Sequence, residues 1–175
     1  MSERTPRSEK AADSERPVRP RGTAKDRALR LLGVRDRSRR ELERRLLQAG
    51  FGPGDIAEAL DALAGAGLID DERFAASVVE HALTGRMAGR RGVLSSLLSK
   101  GVDRPTAERA VESLGEGEAE RAEALARRQA SRTHGLEPEK AYRRISGLLL
   151  RRGFSPSTAY DAARRALGRS LEEEP

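Results

Sequence analysis

The sequence predicts an all-α protein: a tandem array of three three-helix repeats, elongated and curved, with a disordered N-terminal tail. Three observations lead there. Helix start and stop signals are densest from Arg37 to Ala75, read RSRRELERRLLQAGFGPGDIAEALDALAGAGLIDDERFA. Apolar residues in that stretch return every three to four positions, the period of a helix with one buried face. The same apolar pattern then recurs twice further along the chain at nearly equal spacing, which is the mark of a repeat architecture.

Within the organising stretch, Ser38 followed three residues later by Glu41 predicts a capping box that starts a helix. Leu42, Leu46 and Ala49, with Leu47 beside them, line one face of that helix, and Arg39, Arg40, Glu43, Arg44 and Arg45 occupy the rest. Gly50 supplies a left-handed end, Phe51 the apolar contact that accompanies it, and Pro53 the first turn of a second helix. That helix has Ile56, Ala59 or Leu60, and Leu63 as core positions and runs out at Gly65-Ala66-Gly67. Asp70 then reads as an N-cap, with Asp71 and Glu72 at the positive end of the helix dipole and Ile69 and Phe74 at the two positions of a hydrophobic staple.

Residues 1–24 carry Pro6, Pro17 and Pro20 among Ser, Glu and Arg, with too little apolar surface to offset the entropy of ordering, so they read as a disordered basic tail. The first repeat, residues 25–66, opens with a short helix over Lys25 to Val34. A shift of 51 residues places Val93, Leu97, Leu98, Gly101, Val102, Val111 and Leu114 on Leu42, Leu46, Leu47, Gly50, Phe51, Leu60 and Leu63, which defines the second repeat at residues 67–115. A further shift of 52 brings Ile145, Leu149, Leu150, Gly153, Phe154 and Ala163 into those slots and defines the third at residues 116–169. The opening helix of the second repeat is expected from Asp71 to about Arg86, and that of the third from about Gly117 to Arg132. Residues 170–175 form a frayed acidic tail. Units of this size are near the lower limit for an independent core, so neighbours are expected to stack.

Composition excludes several classes of function. No window of about 18 apolar residues could cross a bilayer, no secretory signal is expected because no apolar segment follows Met1, and the chain contains no cysteine. Cytoplasm is the default compartment, and the reading includes no membrane. Thiolate chemistry is excluded, and His81 and His134, in different repeats, make a histidine metal cluster improbable. No Gly-rich phosphate loop occurs. Asp70, Asp71 and Glu72 are explained by capping better than by a metal. The expectation is a protein with no catalytic residues, no cofactor and no metal.

The net charge of +6 favours a nucleic acid or an acidic protein surface as partner. The charge is polarised, with eleven Arg and Lys against three acids between Arg127 and Arg169. Repeat register sharpens this. Arg40, Arg91 and Arg143 all stand two residues before the first core position of their unit's second helix, where the helix dipole disfavours cations. Joined by Arg39, Arg86, Arg90, Arg144, Arg151 and Arg152, they form a candidate row for a phosphate backbone or an acidic groove.

The residues that organise the fold also resemble a known family. R-S-x-x-E-L at Arg37 to Leu42, G-F at Gly50-Phe51, G-L-I-D-D-E-x-F-A at Gly67 to Ala75 and G-x-x-x-x-L-x-x-K-G-V at Gly92 to Val102 are similar to the RecX family, bacterial regulators of the RecA recombinase. The resemblance implies tandem three-helix repeats that lie in the groove of the RecA nucleoprotein filament on single-stranded DNA. It implies inhibition of RecA ATPase and strand exchange; the expected role extends to RecA coprotease activity in DNA repair, recombination and the SOS response, and the expected protein is a monomer with weak direct DNA contact. The chain departs from the family pattern at Val78, where an aromatic is common, and at Val93 to Ser96, where basic residues and Glu are common. Two rival readings are a helix-turn-helix DNA-binding protein, which would need a wing, and a helical-repeat scaffold for another acidic partner.

Overall fold

A computed structural model describes residues 22–172, and all regular elements among them are helices. The expected N-terminal tail as far as residue 21 and the last three residues lie outside the described residues. The first unit consists of α1 (Ala24–Leu32), α2 (Arg39–Gln48) and α3 (Pro53–Gly65); the second of α4 (Asp71–His81), α5 (Arg90–Ser99) and α6 (Arg104–Ala110); the third of α7 (Glu118–Ala130), α8 (Pro138–Arg151) and α9 (Pro156–Glu172). The extensive helix–helix contacts all fall inside one unit. Each unit has its own core: Leu42, Leu46, Phe51, Ile56, Leu60 and Leu63 in the first; Phe74, Val93, Leu97, Val102, Val111 and Leu114 in the second; Leu125, Ile145, Leu149, Phe154 and a set of alanines in the third. Because Ala162, Ala163 and Ala166 are small, α9 packs closely on α7 and α8.

The repeat is physical as well as numerical. The middle helix of each unit ends at a glycine in the left-handed region, with φ of 86° at Gly50, 84° at Gly101 and 81° at Gly153. At each end the glycine N–H donates three residues back, and the next N–H donates to the carbonyl five residues back: Phe51 to Leu46 at 3.2 Å, Val102 to Leu97 at 3.1 Å, Phe154 to Leu149 at 3.2 Å. These N–H groups carry the buried Phe51, Val102 and Phe154, so the helix stop also delivers a core residue.

The units are joined by one device used twice. At the first junction the Arg39 N–H, in the first turn of α2, donates to the Asp71 carboxylate at 2.9 Å, and the Ser38 hydroxyl donates to the Lys100 carbonyl at the end of α5. At the second junction the Arg90 N–H, in the first turn of α5, donates to the Glu118 carboxylate at 3.0 Å, and the Gly89 N–H donates to the Arg152 carbonyl at the end of α8 at 3.0 Å. The first N–H groups of a helix have no intrahelical partner and face the positive end of its dipole. In both cases the first residue of the next unit's opening helix supplies the acceptor. Carboxylates brought in from elsewhere thus accompany basic residues at helix N-termini that helix stability alone leaves unexplained.

Contact at both junctions is close. A Cβ added to Gly153 would lie 2.1 Å from the Gly92 nitrogen, and one added to Gly92 would lie 2.6 Å from the Arg152 carbonyl oxygen. At the first junction the methylenes of Arg40 cover Gly101, where an added Cβ would come within 2.3 Å of the Arg40 side chain.

Several local expectations are corrected. The α1 helix begins at Ala24, one residue early, under a complete capping box in which the Asp26 N–H donates to the Thr23 hydroxyl at 3.0 Å and the Thr23 N–H donates to the Asp26 carboxylate at 3.2 Å. The box expected at Ser38 is half formed. Its hydroxyl accepts from the Glu41 N–H at 3.1 Å, but the Glu41 carboxylate turns to the guanidiniums of Arg35 and Arg37, the latter at 2.6 Å. Ile69 and Phe74 do not serve one core as a staple would: Ile69 joins the first and Phe74 the second, tying the connection to both units. The α4 helix stops at His81 rather than near Arg86, continues as a π-helical turn over Ala82–Arg86, and breaks at Met87 with φ of 45°. Met87 packs against the third core, which holds a conformation costly to a side-chain-bearing residue.

Two measurements test these packing arguments. Gly92→Ala is expected to lower the melting temperature despite the roughly 1 kcal/mol advantage of Ala over Gly in a helix, since its Cβ meets backbone; Gly147→Ala in α8, which meets only the end of the Arg151 side chain, is expected to raise it. Arg37 and Glu41 are 8% and 5% exposed. Burial pushes the Glu41 carboxyl up, but the Arg35 and Arg37 guanidiniums outweigh it and leave the group below its ordinary 4.5. Its contribution to stability is therefore present above 4.5 and lost as pH falls through the lower folded value. Asp71 acts oppositely: burial raises it above its ordinary 3.8, so its contribution is full below 3.8 and lost as pH rises through the folded value. Chemical denaturation from pH 7 to 3 is expected to show Glu41→Gln costing about 3–5 kcal/mol at neutrality by stranding buried Arg37, with a smaller difference from the unmodified protein below pH 4.5.

Candidate functional site

The junctions leave a cleft of about 850 Å³ to which all three units contribute. Its floor is formed by the half-buried Val78 of α4 and Ala88 of the segment before α5, over the edges of the core residues Phe74, Ala82 and Val93. Ser77, His81 and Ser96 soften the walls. The rim is basic: Arg35 comes from the α1–α2 loop, Lys100 from the end of α5, and Arg151 and Arg152 from the end of α8, with Asp36 the acidic residue among them. Three segments far apart in sequence meet there because each junction sets the end of one unit's middle helix against the start of the preceding unit's.

The charges around the cleft are not equivalent. Arg35 is committed to Glu41 and to the carbonyl of Asp36. Lys100 and Arg151 have no carboxylate within ion-pair distance among the described residues. The cleft continues past Gly92 and Arg151 into a recess of about 380 Å³ that Arg91, Ser95 and Leu150 also line.

Of the nine arginines singled out in the sequence, the structure brings Arg151 and Arg152 to the cleft and Arg91 to the adjoining recess. Arg40 lies at the first junction with its stem on Gly101, the place equivalent to that of Arg91 at the second. The Arg39 guanidinium pairs with Asp61 at 2.5 Å and so faces α3. The backbone of Arg90 is bound to Glu118, and its side chain is exposed. Arg143 pairs with Glu139 one turn earlier at 2.8 Å and, with Arg144, stands on the exposed surface of α8. Arg86 closes the π-helical turn before Met87. Sequence reasoning missed Arg35 and Lys100 as members of the cleft; the K-G pair at Lys100-Gly101 was a signal for the second, since Gly101 marks the junction.

The acidic cluster of Asp70, Asp71 and Glu72 is fully occupied in structural work. Asp70 caps α4 through the N–H groups of Glu72 and Arg73 at 3.0 and 2.9 Å, Asp71 binds the Arg39 N–H, and Glu72 pairs with Arg109 at 2.8 Å. Among the described residues no group of three or more His, Asp or Glu is placed to hold a metal ion, and no helix is long and apolar enough to cross a membrane.

Comparison with known proteins agrees with this architecture unit by unit. The chain matches the family models described as RecX, first three-helix domain, over residues 24–63; RecX, second three-helix domain, over residues 70–111; and RecX, third three-helix domain, over residues 116–167. The regulatory protein RecX of Mycolicibacterium smegmatis is 40% identical over 155 residues, 85% of this chain and 82% of that one. The regulatory protein RecX of Streptomyces coelicolor is 36% identical over 168 residues, 95% of this chain and 87% of that one. The crystal structure of RecX from Lactobacillus salivarius superposes with a TM-score of 0.67 at 25% identity, covering 82% of this chain and 94% of that one. With three consecutive three-helix units each matched to its own family domain, the chain belongs to the RecX family of regulatory proteins.

Proposed function

We propose that this protein binds the RecA filament assembled on single-stranded DNA and lowers the ATPase, strand-exchange and coprotease activity of RecA. The observation that carries the reading is the convergence of basic residues from all three units on one cleft, set by junctions that repeat along the array. A periodic partner suits a periodic binder, because successive units can meet successive copies of the same surface. In this reading Arg40 and Arg91, at equivalent places in the two junctions, and Arg143, in the same slot of the third unit, face acidic groups of the filament, with Arg151 and Arg152 contributing from the cleft. The protein works as a monomer, without catalytic groups of its own, by favouring one state of the filament over another.

The rival helix-turn-helix reading meets a specific obstacle. Its recognition helix would be α3, which carries Asp55, Glu58 and Asp61 and no Lys or Arg, so it would repel the phosphates that flank a groove. The residues after Gly67 pass into α4 rather than into the strands of a wing.

The test is RecA ATPase on single-stranded DNA, titrated with the unmodified protein and with the Arg40→Glu, Arg91→Glu, Arg143→Glu triple variant. Partly exposed charges of this kind contribute about 0.5–1 kcal/mol each. Each single change is expected to weaken inhibition severalfold at most and the triple variant by well over tenfold, with helical circular dichroism retained and the loss greatest at low salt. A folded triple variant that inhibits like the unmodified protein would remove the row from the binding surface.

A further inference from the structure

We infer that the middle helices carry a line of alternating arginine and leucine that docks on a protein surface made of repeating copies, each offering a carboxylate beside an apolar recess. The inference deepens the reading above, with RecA as the protein that supplies the copies, and rests on it. It begins from three leucines. Leu47, Leu98 and Leu150 share one register, each three residues before its unit's glycine stop. Their chain neighbours Leu46, Leu97 and Leu149 are fully buried, whereas Leu47 is 49% exposed and Leu150 36%. Leu98 is half-buried at the margin of the second core. One exposed leucine on a protein surface is ordinary. The same slot left uncovered in all three units, next to a filled core position, is a periodic surface feature.

Each of these leucines stands seven residues after an exposed arginine, Arg40, Arg91 or Arg143. Seven residues are two helical turns, so each pair shares one face of its helix about 10 Å apart. The junctions carry the line from helix to helix. At the second junction Leu150 and Arg91 line the same recess. At the first, the Arg40 side chain lies over Gly101, whose N–H donates to the Leu98 carbonyl at 2.9 Å. Arginine and leucine therefore alternate from Arg143 through Leu150, Arg91, Leu98 and Arg40 to Leu47.

A phosphate backbone would use the arginines but gain nothing from the leucines, whose approach costs it hydration. A protein surface uses both. Arginine against a carboxylate supplies attraction and register, and leucine seated in an apolar recess removes carbon from water. The line repeats with the units, so a surface that repeats in step engages every pair, whereas a surface that does not repeat engages one and leaves the others in solvent.

Co-sedimentation of the full-length chain with RecA assembled on oligo(dT) tests this, with oligo(dT) alone as the nucleic-acid probe. The Leu47→Gln, Leu150→Gln double variant changes two exposed positions, and Leu47→Met with Leu150→Met keeps them apolar. The Gln pair is expected to weaken filament binding tenfold or more at low and high salt alike, because burial of carbon is not screened. The Met pair is expected to bind within twofold of the unmodified chain, and both variants to keep its melting temperature. A folded Gln pair that binds the filament like the unmodified chain would overturn the inference and leave the proposed function standing. So would a loss confined to low salt, which assigns the effect to charge, or an equal loss on oligo(dT) alone, which assigns the line to nucleic acid. A melting temperature lowered by the Gln pair would make the leucines packing residues and overturn it as well. Failure of the unmodified chain to sediment with the filament would instead strike the proposed function itself, and the inference with it.

Discussion

The arrangement depends on where the unpaired N–H groups at the start of each middle helix find acceptors. A helix cannot satisfy its first-turn donors internally, and this chain satisfies them from the neighbouring unit, through Asp71 at one junction and Glu118 at the other. Each carboxylate is the first residue of the next unit's opening helix, so one side chain occupies the positive end of two helix dipoles. The carbonyl left open at the end of the next middle helix is taken by Ser38 in one case and by the Gly89 N–H in the other. The middle helices therefore follow one another start to end, and the array grows by repeating a polar joint rather than by merging cores.

That joint explains the glycines. Gly101 and Gly153 stop their helices, yet the left-handed conformation accounts for only half of their requirement. The other half is contact: backbone meets backbone where Gly153 faces Gly92, and the Arg40 stem lies on Gly101. The cleft follows from the same geometry. Because the end of α8 is pressed against the start of α5, Arg151 and Arg152 arrive beside residues of α4 and α5 that lie far earlier in the chain. Basic groups collect there without any basic run in the sequence of the second unit.

Much of the fold was legible in the sequence because it rests on local rules. The three glycine stops, the apolar residues that follow them and the proline entries after Gly50 and Gly153 all depend on a few consecutive residues, and register alone aligned them. What was not legible involves competition between local and distant partners. Glu41 has the spacing of a capping box, but two guanidiniums, one of them buried, outbid a backbone N–H for its carboxylate. Ile69 and Phe74 have the spacing of a staple, but each is drawn into a different core. The break at Met87 has no local signature beyond Gly85, because its cause is the third core, into which Met87 reaches. The candidate site shows the same division. Arg91, Arg151 and Arg152 were found through register and charge, whereas Arg35 and Lys100 become neighbours of that group only when the units are joined.

The central claim is that carboxylates from the next unit hold the middle helices in line, and the amide protons of Arg39 and Arg90 report on it directly. First-turn amides of a helix ordinarily exchange with solvent almost freely. Native-state hydrogen exchange is expected to find Arg39 and Arg90 protected far above Arg104, which opens α6 without a carboxylate from a neighbouring unit. Asp71→Ala is expected to release Arg39 while leaving Arg90 protected, and Glu118→Ala the reverse. Exchange at Arg39 and Arg90 as fast as at Arg104 in the unmodified protein would contradict the account, since the units would then be joined by something other than this joint.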